Sequence, residues 1–157
     1  MQTIIRRIAP AAWIALVLGP AAPVHAQNDD FTGVIKYRQG VMKAQAGHMA
    51  ALAQLVRGRI PDPEGERMRM HARSIQALLH NLADGFPEGS DFGETRAEER
   101  IWEQWDKFEA ASEKATNAAK ALTAAVEKGD RKTITEAFKK LGKACKACHE
   151  DFRAEEE

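Results

Sequence analysis

The stretch "DRKTITEAFKKLGKACKACHEDF" (residues 130–152) combines a helix start signal, a helical apolar stripe and a compact group of metal-binding residue types. Asp130 is a favourable N-cap residue, and the apolar positions after it recur every three or four residues. These positions are Ile134, Ala137, Phe138, Leu141, Cys145, Cys148 and Phe152. The stretch therefore predicts an amphipathic helix with one buried face.

Two earlier segments have the same helical spacing of apolar residues. The first runs from about Phe31 to Arg57 and is ended by "GRIPDPEG" (58–65), in which two prolines and two glycines interrupt the pattern. The second places apolar residues on one face between Met68 and Leu82. Each segment predicts one amphipathic helix.

A third helical segment follows the long loop "DGFPEGSDFGE" (84–94). Thr95 and Glu98 have the spacing of a capping box, which predicts that this helix starts there, and Gly129 ends it. With the last helix this makes four amphipathic helices and almost no strand pattern. We therefore predict an all-α fold, an antiparallel up-down-up-down four-helix bundle.

The N-terminal stretch "MQTIIRRIAPAAWIALVLGPAAPVHAQ" (1–27) has the three parts of a secretory signal peptide. Arg6 and Arg7 supply positive charge, residues 8–18 are apolar, and residues 24–26 form a small-residue cleavage pattern. A membrane anchor would need about 20 apolar residues, more than this segment offers. We therefore predict that residues 1–26 are cleaved and that residues 27–157 form one domain.

The predicted mature domain carries a formal charge of 21 − 23 = −2, because the signal peptide removes two arginines and no acids from a balanced chain. No basic stripe remains that would follow a phosphate backbone, so nucleic-acid binding is not expected. No second membrane segment is expected after processing. These features predict a periplasmic protein.

The only two cysteines, Cys145 and Cys148, are three positions apart, and His149 follows directly. A redox dithiol usually lies in a strand–helix unit, and a structural zinc site needs four ligands. A disulfide between the two cysteines is compatible with an oxidising compartment but gives His149 no role. Cys-x-x-Cys-His is the signature of covalent haem attachment, and positions i and i+3 share a helix face. We therefore predict one covalently attached haem c.

The chain resembles cytochrome c′ and its low-spin relatives, the class II c-type cytochromes. The resemblance spans the predicted mature region and rests on "YRQGVM" (37–42), "RIWEQWDKF" (100–108) and "GKACKACHEDFR" (142–153). It implies a periplasmic haem protein in which His149 is the axial ligand of the iron. It also implies that a residue of the first helix faces the other side of the iron.

Met42 is the candidate for that second side. If the first and last helices are antiparallel, Met42 and His149 differ in level by about 6 Å, whereas Met49 lies about 16 Å away. A Met thioether as sixth ligand would raise the haem potential towards electron-transfer use. In cytochrome c′ proper the matching residue packs over the iron without binding it, so Met42 is either a ligand or a core residue.

Arg38 falls in register with the apolar stripe of the first helix. A buried charge needs a partner, and an Arg fork suits a carboxylate, so a haem propionate is the expected partner, with Gln39 adding a hydrogen bond. The alternative is that Arg38 extends to the surface. Trp102, Trp105 and Phe108 either line the haem pocket or belong to the core.

Two functions are compatible with these features. The first is a one-electron carrier that cycles Fe(III)/Fe(II) between periplasmic redox partner proteins. The second is a five-coordinate protein that binds a diatomic gas, nitric oxide or carbon monoxide. An enzyme is not expected, because Met42 and its apolar neighbours cannot transfer protons. The resemblance also implies that a homodimer through the first two helices is possible.

Overall fold

The computed structural model describes the backbone of residues 25–155 and the side chains of residues 31–155. The described helices are α1 (His25–Val56), α2 (Glu66–Leu79), α3 (Arg100–Glu103), α4 (Trp105–Lys128) and α5 (Arg131–Phe152), with a 3-10 turn at Leu82–Gly85. Residues 1–24 of the predicted signal peptide lie outside the described residues. Among the described residues, the only β-type pairing is an isolated antiparallel bridge between Ala97 and Arg153.

The four long helices form the predicted antiparallel bundle, in which α1 packs on α2, α2 on α4, and α4 on α5. Its main core lies between these helices and contains many alanines, which allow close helix approach. The fully or nearly fully buried large side chains of this core are Leu52, Ile75, Leu79, Leu122 and Leu141. The prediction of fold class is therefore confirmed.

The start of the third predicted helix was wrong in detail. Thr95 does not act as an N-cap; its hydroxyl accepts hydrogen bonds from the backbone N–H of Ala97 and from Arg38. Helix α3 begins at Arg100 and is interrupted at Gln104, whose φ of −126° and ψ of 44° are not helical. The capping-box spacing was present, but the backbone N–H of Glu98, which would donate to Thr95 in such a box, donates to the carbonyl of Phe152 at 3.2 Å.

The predicted boundary between the last two helices is confirmed. Gly129 adopts a left-handed conformation with φ of 77°, and its N–H donates to the carbonyls of Ala125 and Val126. Asp130 then caps α5, accepting a hydrogen bond of 2.8 Å from the backbone N–H of Thr133. A glycine C′ residue followed at once by an Asp N-cap makes a tight turn between two helices.

Helices α1 and α5 run in opposite directions, which can be read from two contacts. At the start of α5, Arg131 donates to the carbonyl oxygens of Leu55 and Val56 at the end of α1, at 3.5 and 3.2 Å. Further along, Met49 Cε lies 3.9 Å from the position that a Cβ would take at Gly142. These contacts fix the register between the two helices.

Among the helices that the structure describes, none combines the length and apolar character required to cross a membrane.

Replacing Leu122 by alanine tests the main core. Leu122 is fully buried on α4, so Leu122→Ala should lower the free energy of unfolding by about 3 kcal/mol through lost burial and a residual cavity. Urea denaturation followed by circular dichroism measures the change. Ile60→Ala, which truncates an exposed side chain in the α1–α2 connection, is the control, and an equal effect of both changes would contradict the described core.

Candidate haem site

The last two turns of α5 present the two cysteines and the histidine of the motif. All three side chains are half-buried, and both thiols are free. Cys145 packs against the main core, whereas Cys148, three residues later, packs against a second group of apolar side chains. The i, i+3 spacing therefore directs both thiols into the bundle at one end of it.

This second group is the aromatic cluster, formed by the buried residues Phe86, Ile101, Phe108 and Phe152. The Phe108 ring lies at its centre, with ring centroids 4.8 Å from Phe86 and 5.4 Å from Phe152, both in edge-to-face geometry. Half-buried side chains surround the cluster, and they include Met42, Trp102, Trp105 and Cys148. The structure thus brings the first-helix methionine and the second cysteine to one apolar region.

Trp102 and Trp105 also line a cavity of about 460 Å³ beside the aromatic cluster. The indole N–H of Trp102 donates to the carbonyl of Phe86 at 3.1 Å, which fixes one wall. Phe108 belongs to the core, whereas the two tryptophans are half-buried and line this cavity. That they line a haem pocket stays a prediction. None of the cavity-lining residues is a motif residue of α5.

The register of α1 and α5 places Met42 at the level of His149 along the bundle. Met49 lies beside Gly142, and counting seven residues in opposite directions along α1 and α5 leads from this pair to Met42 and His149. Seven residues are close to two helical turns, so the same face is presented again. Met49, by contrast, packs against the main core.

Arg38 is buried, with 4% of its surface exposed, and does not extend to solvent. Its guanidinium donates to the Ser90 hydroxyl at 2.6 Å, to the Ser90 carbonyl at 2.5 Å and to the Thr95 hydroxyl at 2.5 Å. Its Cζ also lies 4.9 Å from the centroid of the Phe86 ring. Burial lowers the pKa of Arg38, and the Asp91 carboxylate acts in the opposite direction.

Gln39 is directed to the same loop. Its side-chain amide donates to the carbonyl of Glu94 at 2.6 Å in an exposed position. Together Arg38 and Gln39 attach the loop between α2 and α3 to α1. The sequence predicted neither Ser90 nor Thr95 as a partner of Arg38; the only available signal was a serine inside a loop rich in glycine and acidic residues.

The end of α5 is attached to the segment before α3. The backbone N–H of Glu98 donates to the carbonyl of Phe152 at 3.2 Å, and that of Ala154 donates to the carbonyl of Arg96 at 3.0 Å. The Arg96 side chain donates to the Ala154 carbonyl from Nε at 2.8 Å. These bonds hold the end of α5, in the turn after His149, and no sequence pattern had indicated this role for Arg96.

Comparison with known protein families identifies the family of this chain. The family model described as Cytochrome C′ matches residues 33–153. The chain belongs to the cytochrome c′ family. A cytochrome c′ from Pararhodospirillum photometricum is 38% identical over 121 residues, which cover 76% of this chain and 94% of the relative.

Solved cytochrome c′ structures have the same fold. That from Shewanella frigidimarina superposes with a TM-score of 0.75 at 28% identity, covering 80% of this chain and 97% of the other. The nitric oxide complex of a variant of cytochrome c prime from Alcaligenes xylosoxidans superposes with a TM-score of 0.73 at 25% identity, with the same two coverages. Members of the cytochrome c′ family bind a single covalent haem c and carry electrons or bind gases.

The residues on α5 have the chemistry that a cytochrome c′ haem needs. Burial raises the pKa of Cys148 to about 11, and burial also raises that of Cys145, so neither has the low pKa of a redox thiol. Burial, then Arg153 and Arg96, lower the pKa of His149, which keeps its imidazole neutral and able to bind a metal. The half-buried thiols and the neutral imidazole therefore fit haem attachment better than thiol redox chemistry.

Replacing Arg38 tests its role in holding the loop. Arg38→Met keeps much of the apolar stem but removes all three hydrogen bonds, so it should lower the free energy of unfolding by about 2 kcal/mol. In this variant, the increase in the rate of amide hydrogen exchange over the wild type should be larger in residues 86–95 than in α4.

Gln39→Ala is the matched control for this change, because it removes a single exposed bond to the same loop. It should alter stability and exchange only slightly. Unchanged exchange in residues 86–95 of Arg38→Met would show that the guanidinium does not hold the loop.

Proposed function

We propose that this chain is an exported, periplasmic mono-haem cytochrome that carries single electrons. In this proposal residues 1–26 are a cleaved signal peptide, and Cys145 and Cys148 bind the haem covalently. His149 would bind the iron of that haem, and Met42 would supply a second ligand to it. The haem, when bound, supplies an Fe(III)/Fe(II) couple, and periplasmic redox proteins are the partners.

The observation that carries the proposal is that Met42 and Cys148, the residue before His149, meet at the aromatic cluster. Met42 and Cys148 both pack against that cluster, although they lie on different helices and more than a hundred residues apart in the chain. A thioether on the side opposite a neutral imidazole is the ligand pair that raises a haem potential. The apolar residues against which Met42 packs would favour the reduced, less charged iron.

The buried Arg38 has a second part in the proposal. Its guanidinium lies against the Phe86 ring of the aromatic cluster and is held by the loop, so a cation is fixed beside the region proposed for the haem. The described hydrogen-bond acceptors of Arg38 belong to Ser90 and Thr95 and are neutral, so a haem propionate there would add a carboxylate acceptor. Gln39, one residue further along α1, is proposed as a further donor to that propionate.

The second candidate function is binding of a diatomic gas. In this case the gas, and not Met42, would bind the iron. The related nitric oxide complex from Alcaligenes xylosoxidans favours it. In this alternative Met42 packs over the iron without binding it, and the same apolar surroundings admit an uncharged ligand. The two candidates therefore share every proposed residue and differ in one bond.

Absorption spectroscopy of the purified holoprotein distinguishes the two candidates. If Met42 binds the iron, the ferric protein is six-coordinate and low-spin, and Met42→Ala converts it to a high-spin spectrum because the sixth ligand is lost. Met49→Ala is the matched control, because Met49 lies two turns away against the main core and its loss should leave the spectrum unchanged. A high-spin ferric wild type that takes up carbon monoxide rapidly when reduced would reject the carrier and support gas binding.

Mass spectrometry and haem staining test the attachment itself. Protein made in a host that assembles c-type cytochromes should have the mass of residues 27–157 plus one haem. Cys148→Ala should reduce haem retained after denaturing electrophoresis by at least about tenfold, because one of two thioether bonds is lost and maturation is impaired.

Ala147→Ser serves as the control for that change, because it alters an exposed residue between the two cysteines and keeps the motif. It should load haem like the wild type. Full covalent loading of Cys148→Ala would contradict the proposed attachment.

A further inference from the structure

A pair of histidines joins α1 to α2 away from the residues proposed for the haem. His48 Nδ1 and His71 Nδ1 lie 2.8 Å apart, and both rings are half-buried. The ring centroids are 5.1 Å apart, with an angle of 61° between the ring planes. The distance between the ring centroids equals the Nδ1–Nδ1 distance plus about one radius of each ring. Each Nδ1 atom therefore lies on the line between the two centroids, and the two nitrogens point directly at each other.

This head-on arrangement limits how many protons the pair can hold. A hydrogen bond between two ring nitrogens needs one N–H donor and one free lone pair. Two neutral imidazoles meet this condition if they are opposite tautomers, and one imidazolium facing one neutral imidazole also meets it. Two imidazoliums do not, because two N–H groups and two positive charges would then face each other at hydrogen-bond distance.

Two charged groups act on His71: His48 of α1 and Asp62 of the α1–α2 connection. Burial lowers the pKa of His71 most, the charge of His48 lowers it further, and the carboxylate of Asp62 acts in the opposite direction. Asp62 is itself engaged at the start of α2, where it accepts a hydrogen bond of 3.0 Å from the backbone N–H of Met68. The local environment therefore disfavours a charged His71 while the helices stay packed.

We propose that the His48–His71 pair is a proton-sensitive contact between α1 and α2, which holds while at least one imidazole is neutral and breaks when both are protonated. The neighbouring polar contact between the two helices does not titrate: Gln45, three residues before His48, donates to the carbonyl of Leu78 at 3.1 Å. Protonation would thus release one of two adjacent polar contacts on α1. The inference does not depend on the roles proposed for the haem residues.

The direction of the pH effect follows from the lowered pKa of His71. The unfolded chain, with histidines near their ordinary pKa of about 6.5, binds more protons than the folded chain just below that pH. The stability contributed by the pair is therefore complete above about pH 6.5 and is lost as the pH falls towards the folded-state pKa.

Thermal unfolding of the holoprotein across pH tests this inference. In His48→Gln the Gln amide can accept a hydrogen bond from His71 but cannot become charged, so His71 can be protonated without breaking the contact. Between about pH 7.5 and pH 5, the melting temperature of the wild type should fall by about 3 °C more than that of His48→Gln, a shift typical of one hydrogen bond in a domain of this size.

His80→Gln is the matched control, because it removes an exposed histidine at the end of α2 and leaves the pair intact. It should retain the wild-type pH dependence, while His71→Gln should lose it as His48→Gln does. An equal pH dependence in the wild type and both pair variants would overturn the inference.

A direct titration gives an answer even if a variant folds poorly. Ring proton signals of His71 in the reduced protein under carbon monoxide, where the ferrous haem is diamagnetic, report its protonation. In the wild type the midpoint should lie below the ordinary histidine value, and in His48→Gln it should move upwards. A wild-type midpoint at the ordinary value would also overturn the inference.

Discussion

The antiparallel register of α1 and α5 is the constraint on which the site depends. Arg131 is bonded to the last carbonyls of α1, and Met49 packs beside Gly142, so the two helices cannot slide relative to each other without losing both contacts. With that register Met42 of α1 and Cys148 of α5 both reach the aromatic cluster. A shift of one turn would move Met42 about 5 Å along the bundle and remove it from this level.

The buried charge of Arg38 gives the loop between α2 and α3 a structural role. Desolvating a guanidinium is costly, and here the compensation comes from two hydroxyls, one backbone carbonyl and the face of one aromatic ring. Ser90, which supplies two of these contacts, is fully buried although it lies in a loop. The loop is therefore part of the region around the aromatic cluster as well as a connection between helices.

The local sequence pattern was sufficient for the bundle but not for its tertiary contacts. Apolar spacing predicted the long helices, and Gly129 with Asp130 marked a helix boundary because both act within a few residues of chain. The Thr95–Glu98 capping box did not form, because the backbone N–H of Glu98 donates to Phe152 and the Thr95 hydroxyl accepts from Arg38, both distant in sequence. The inward direction of Arg38 was readable from its register, whereas its partners Ser90 and Thr95 were not, since no local pattern encodes a contact across fifty residues.

The two long connections of the bundle differ in how readily they should accept inserted residues during evolution or engineering. Residues 57–61 of the α1–α2 connection are exposed, so an insertion there would extend into solvent. It would precede Asp62, whose carboxylate accepts from backbone N–H groups in the first turn of α2. The α2–α3 loop has no comparable freedom, because its serine and threonine enclose a cation and its following residues are bonded to the C-terminal turn. Divergence in length among related chains should therefore accumulate at the first connection, and fusion of another domain is best placed there.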